Sequence, residues 1–132
     1  MTKQIAIASD MQAAGQAEDA VLDELARRSY SEAATFAIRL SLEEALANAI
    51  RHGNRCDPSK PVKVHFDVND RRAVVTITDQ GEGFDLHDVP DPTADENLEK
   101  PCGRGIMLMR AYMDDVRFNE KGNEVRLTKC NS

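Results

Sequence analysis

Glu44 and Asn48 stand four residues apart in the stretch EEALANAIRHGN, positions 43–54. On a helix, residues at that spacing sit one above the other on a single face. A carboxylate there can accept a proton. A carboxamide oxygen beside it can ligate a hard cation such as Mg²⁺, which prefers oxygen and keeps several waters. The same pair, taken by itself, equally describes a solvated helix face. A second group is Asp79-Gln80-Gly81-Glu82-Gly83-Phe84. An Asp and two glycines at the tip of a strand give a tight backbone that something can approach closely, and a plain turn fits the same residues. A third is Gly103-Arg104-Gly105, ahead of an apolar run. A glycine-flanked helix N-terminus offers free N–H groups and a positive dipole end, which suit a phosphate.

The elements that must hold these groups can be read from periodicity. At 100° per residue Ile38, Leu42, Ala45, Leu46, Ala49 and Ile50 gather on one arc, so a central helix is expected from about Glu32 to His52. Gly53-Asn54 reads as its C-terminal punctuation. An earlier helix is expected from a cap at Ser9 or Asp10 to about Arg28, with Ala17, Val21, Leu22 and Leu25 inward. Glu18, Asp19, Asp23, Glu24, Arg27 and Arg28 read as its solvated face or a docking surface. Ser29 and Ser31 compete as the next cap.

Lys3 to Ser9 reads as a short edge strand. Val62, Val64, Phe66 and Val68 alternate strictly, and Ala73 to Thr78 follows Asn69-Asp70, so the two make an antiparallel hairpin. The stretch from Asp85 to Cys102 holds Pro90, Pro92 and Pro101 with many acids, and a loop that long is usually functional or disordered. A third helix is expected from Ile106 to about Met113, with Met107, Leu108 and Met109 as core rather than a cofactor box. Val116 to Asn119 and Glu124 to Lys129 read as two closing strands.

Composition narrows the classes. The chain has 132 residues, which suits one domain with a real core, and no repeat or internal boundary is visible. Its net charge of −6 shows no basic stripe, so nucleic acid is not expected as a partner. No apolar run is long enough to span a bilayer, and positions 1–9 do not read as a signal peptide. Cys56, Cys102 and Cys130 are odd in number and widely spaced, against a disulfide framework or zinc site and in keeping with a reducing, cytoplasmic setting. None of His52, His65 or His87 sits in a catalytic context.

The three groups, in this order, resemble the N box and two glycine boxes of the GHKL ATP-binding superfamily, which includes Hsp90, gyrase B, MutL and the histidine kinases. Positions 48–54, 91–99 and 103–109 look like the stand-alone anti-sigma-factor serine/threonine kinases. The resemblance covers nearly the whole chain and is strongest from about Phe36 to Phe118. It implies an α+β fold of Bergerat type: a two-layer sandwich, helices on one face of a mixed, mainly antiparallel sheet. Residues 1–132 would form one such ATPase domain, with an ATP lid at about 85–102.

The resemblance also implies roles. Asn48 would ligate Mg²⁺ on the ATP phosphates, and Glu44 would be the general base. Asp79 would accept a hydrogen bond from the adenine amino group, with Gly81 and Gly83 giving close backbone approach. Gly103, Arg104 and Gly105 would close on the triphosphate, and Thr128 would support the adenine end. The implied activity is a protein-serine/threonine kinase acting on a STAS-domain anti-sigma antagonist. A sigma factor is a further implied partner, and relatives often form homodimers. The alternative is a nucleotide-gated anti-sigma or adaptor module with weak catalysis. No phosphoacceptor His domain lies upstream, so a complete histidine kinase is not expected, and neither is the transducer domain of gyrase B or MutL.

Overall fold

The computed structural model describes residues 2–54, 57, 59–81 and 101–131, with only the backbone path at 52 and 101–105. Five strands and three helices are present among the described residues. In order they are β1 (Thr2–Ile7), α1 (Met11–Arg27), α2 (Glu32–Asn48), β2 (Val62–Val68), β3 (Arg72–Thr78), α3 (Pro101–Tyr112), β4 (Asp115–Phe118) and β5 (Glu124–Cys130). The sheet order is β1-β2-β3-β5-β4. Every one of its four pairings is antiparallel, so the expected mixed sheet is in fact uniform.

The alternation in β2 decides which face is buried. Val62, Val64, Phe66 and Val68 are buried, while Lys63 and Asp67 between them are exposed. Their partners across the ladder, Ala73, Val75 and Ile77 of β3, face the same way, as do Val125 and Leu127 of β5. The helices cover that face and give one continuous apolar cluster. All six residues of the expected arc on α2 are buried in it. Fully burying a side chain of this size is worth roughly 1.5–3 kcal/mol, and this cluster is what fixes α2 over the sheet.

The helix starts are set by side-chain caps. Asp10 accepts the Ala13 N–H at 2.7 Å, and Ser31 accepts the Ala34 N–H at 3.1 Å, which settles both competing caps. Ser29 instead takes a left-handed backbone, φ 56°, in the turn between α1 and α2. One part of the expected solvated face of α1 is not solvated. Glu24 is buried and accepts Arg28 Nε at 2.8 Å, and Arg28 reaches Asp70 at 3.1 Å, tying α1 to the β2–β3 turn.

A second acidic contact lies between α1 and α2. Burial, then a hydrogen bond shared with Glu43, then the charges of Glu43 and Asp19, push the Glu18 carboxyl up from 4.5 to about 7, with Arg39 acting the other way. The folded state therefore holds a proton that the unfolded chain releases near pH 4.5. The contact's contribution is complete below that pH and is lost as pH rises through about 7. Glu18→Gln is expected to raise the melting temperature at pH 8 and leave it nearly unchanged at pH 4.5. Melting curves at the two pH values check this, and a lower Tm at pH 8 would contradict it.

Candidate functional site

The central helix does not end as an ordinary α-helix. After Asn48 the chain widens into a π turn, Ala49–Gly53, closed by the Asn54 N–H on the Ala49 carbonyl at 2.8 Å. Single π turns of this kind are frequent at functional sites. Asn54 follows with φ −87°, so the helix does not stop in the left-handed conformation that Gly53-Asn54 suggested. Gly53 is required for another reason. A Cβ at Gly53 would fall on the Asp79 carboxyl group, and one at Gly81 would fall on the Gly53 backbone. The three residues are packed backbone to carboxylate, where no side chain fits.

Asp79 is held at the end of β3 by the strand beside it. Its N–H donates to the Asn123 carbonyl at 2.9 Å, and its own carbonyl accepts from Asn123 Nδ2 at 3.1 Å. Its Oδ1 accepts the Gly81 N–H at 2.8 Å. Partial burial pushes its carboxyl above the usual range, against the pull of the Gly81 N–H and the Lys121 charge.

Above Asp79 lies a cavity of about 220 Å³ with apolar walls. Ala45 and Asn48 of α2 and Ala49 of the π turn line one side, Ile77 of β3 and Asp79 just past its end the floor, and Ile106 and Met109 of α3 the opposite side. Phe118 of β4, Gly122 and Asn123 of the β4–β5 turn, and Glu124 and Val125 of β5 close it. An apolar pocket with a few convergent polar groups is the usual form of a small-molecule site, and this one has room for a flat heterocycle. Its polar side chains belong to Asn48, Asp79, Asn123 and Glu124, the last of which accepts Thr78 Oγ1 at 2.8 Å.

Among the residues expected from sequence, Asn48 and Asp79 are therefore brought into one cavity, and Gly81 packs under it. Glu44 lies one helical turn from Asn48 on the same face, partly exposed and outside the lining. Gly103, Arg104 and Gly105 do not precede the third helix. They fall within its first turns, because α3 begins at Pro101, where the missing N–H costs nothing. The earlier start moves the free N–H groups toward Cys102 and Gly103, whereas the Gly105 N–H now falls where the helix ladder takes it up.

Thr128 sits elsewhere. It pairs with Val74 and Asp115, and it alternates with Val125 and Leu127, which face the helices. It thus lies on the face of the sheet opposite the helices, and it is not among the residues that line the cavity. Gly83 and the expected lid at about 85–102 lie outside the described residues, apart from the two positions that open α3. Sequence reading missed Asn123 and Asn54, the two side chains that grip the Asp79 turn.

A metal at this site has to be one that the donors present can suit. Among the described residues there is no group of three or more His, Cys, Asp or Glu side chains that could hold a metal ion. One carboxamide oxygen with a carboxylate a turn away suits a cation that is held mainly by water and by ligand oxygens, which is the habit of Mg²⁺.

A helix-covered antiparallel sheet with this cavity has the architecture of a GHKL-type domain. A family model described as "Histidine kinase-like ATPase domain" matches residues 7–129, and the chain belongs to that family, in its anti-sigma kinase branch. It is 34% identical over 101 residues to a serine-protein kinase RsbW of Bacillus licheniformis, covering 70% of this chain and 62% of that protein. It is 31% identical over 98 residues to an anti-sigma F factor of Clostridium perfringens strain 13, covering 70% and 69%. The chain spans less than two thirds of the length of the RsbW kinase, 62%. A crystal structure of the RsbU and RsbW domains of a Mycobacterium tuberculosis protein superposes with TM-score 0.67 over 99% of this chain and 32% of that one, at 15% identity, a likeness of fold. No described helix is long and apolar enough to cross a membrane.

Proposed function

We propose that the protein is an ATP-dependent protein-serine/threonine kinase of the anti-sigma type, acting on a STAS-domain antagonist in the cytoplasm. The observation that carries this reading is the arrangement on α2. Asn48 lines the cavity, Asp79 lies at its floor, and Glu44 stands one turn further out, where a partner's hydroxyl can reach it. The names of the relatives, serine-protein kinase and anti-sigma F factor, support the same class.

ATP would supply the phosphoryl group, and bound Mg²⁺ would neutralise charge on its phosphates. The chain's own residues do the rest by position. Asp79 reads the base through a carboxylate oxygen, and the apolar walls exclude water around it. The Asn48 carboxamide oxygen would hold the cation. The start of α3 would offer its free N–H groups, at Cys102 and Gly103, to the phosphates, with Arg104 and Gly105 following in the next positions. Glu44 takes the proton from the attacking Ser or Thr hydroxyl. Nucleotide state would then bias which protein is held, the antagonist or a sigma factor, and the functional unit would be a homodimer. Isothermal titration tests the base of this reading: ATP should bind one site per chain with Mg²⁺ and more weakly in EDTA. A folded sample that binds no adenine nucleotide would sink it.

Asp79→Asn places an NH₂ where the adenine amino group needs an acceptor. It is expected to weaken ATP binding by about 1–3 kcal/mol and to blur the preference for ATP over GTP. Since burial raises the Asp79 carboxyl, wild-type affinity should start to fall at a less acidic pH than an ordinary Asp would dictate. The ionised form is the better acceptor, so affinity is lost as pH falls, and Asp79→Asn should lack that slope. Titrations with both nucleotides across mildly acidic pH check this, and normal ATP affinity in Asp79→Ala would refute the adenine role.

A further inference from the structure

Asn54 is 1% exposed, and both ends of its amide are hydrogen-bonded. Its Nδ2 donates to Ser9 Oγ at 2.9 Å, to the Lys60 carbonyl at 2.8 Å and to the Pro61 carbonyl at 3.2 Å. Its Oδ1 accepts the Gln80 N–H at 2.7 Å. Two carbonyls on one side and an N–H on the other leave only this orientation of the amide. Ser9 Oγ also donates to the Lys60 carbonyl, so the joint before α1 and the approach to β2 form one anchored block. Asn54 connects that block to the first backbone amide after Asp79. From the opposite side Asn123 grips the Asp79 N–H and carbonyl. Asp cannot donate to two carbonyls, and Gln is one methylene too long for a filled space.

We propose that Asn54, with Asn123 as its counterpart, is a positioning residue for base recognition: the pair fixes the Asp79 turn so that one carboxylate oxygen is spent on Gly81 and the other is presented to the base. The pair acts on selectivity rather than on the reacting atoms. Without the Asn54 acceptor the Gln80 N–H has no fixed partner, and the Asp79–Gly81 turn can swing. The contact of Gly53 with the Asp79 carboxyl then loosens as well. A base that pairs with a swung carboxylate is tolerated, so discrimination falls more than stability alone would predict.

This inference rests on the nucleotide reading above, and the test separates the two. Kd is measured for Mg²⁺-ATP and Mg²⁺-GTP on wild type, Asn54→Ala, Asn123→Ala and Tyr30→Phe, with a melting curve for each. Tyr30→Phe removes a hydrogen bond to the Asn69 carbonyl, 2.6 Å long, at the β2–β3 turn beyond the other end of β3. It serves as a control for stability loss. The ratio of the two affinities does not depend on the folded fraction, so a merely structural role leaves it unchanged. The expected result is an ATP-over-GTP ratio lowered about tenfold in Asn54→Ala, the equivalent of roughly one well-placed hydrogen bond, and unchanged in Tyr30→Phe. If Asn54→Ala does not fold, Asn123→Ala decides by the same ratio. A wild-type ratio in the folded variant overturns the proposal and leaves the nucleotide reading standing. No ATP binding by wild type overturns both.

Discussion

Glu44→Gln will bind Mg²⁺-ATP as the wild type does and will transfer phosphate on the order of 10²–10⁴-fold more slowly, the usual loss when a general base is removed. The substitution keeps the length and shape of the side chain on α2. Glu44 lies outside the cavity lining, so neither the apolar walls nor the Asp79 floor changes. What disappears is the group proposed to take the hydroxyl proton as the phosphorus–oxygen bond forms. Affinity for the protein partner should also be retained. Nucleotide titration and phosphate incorporation, measured side by side, separate binding from chemistry. Transfer at the wild-type rate would remove Glu44 from the base role.

Asn48→Ala should fail in both assays. Asn48 is one turn further along the same helix, but its carboxamide lines the cavity. In the proposed mechanism it is the chain's oxygen ligand for the cation, so its loss should weaken Mg²⁺-ATP binding and take transfer below detection together. The helix should tolerate the change, since Ala is the strongest helix former and Asn among the weaker ones. A melting temperature at or above wild type, with nucleotide binding lost, is the expected pair of results. Normal binding in Asn48→Ala would place the metal elsewhere.

The parts of this fold that the sequence discloses are those whose pattern is local. Val62, Val64, Phe66 and Val68 alternate because one face of β2 is buried, and that period needs no knowledge of what covers it. The arc on α2 is read in the same way. What stayed hidden depends on pairs far apart in the chain. Gly53 looks like a helix stop, yet its role is to admit the Asp79 carboxyl from another element. Asn54 and Gln80 are 26 positions apart, and Asn123 and Asp79 are 44 apart, so neither grip leaves a local trace. The role of Thr128 comes from a resemblance alone, which does not fix strand register, and one residue of register decides which face a side chain takes. The start of α3 is hard to place because Gly103 and Gly105 suggest a helix N-terminus at the glycines, whereas Pro101 is well suited to a first helical position.

Phosphate incorporation into a protein partner tests the central claim most directly. The wild-type protein is incubated with γ-labelled ATP, Mg²⁺ and a STAS-domain protein that it demonstrably binds, beside Glu44→Gln under the same conditions. The expected result is label on a Ser or Thr of the partner, dependent on Mg²⁺ and reduced at least about a hundredfold in Glu44→Gln, the lower end of the range for a lost base. No label on a bound partner with the wild type would contradict it, and would leave a nucleotide-gated binding module in place of a kinase.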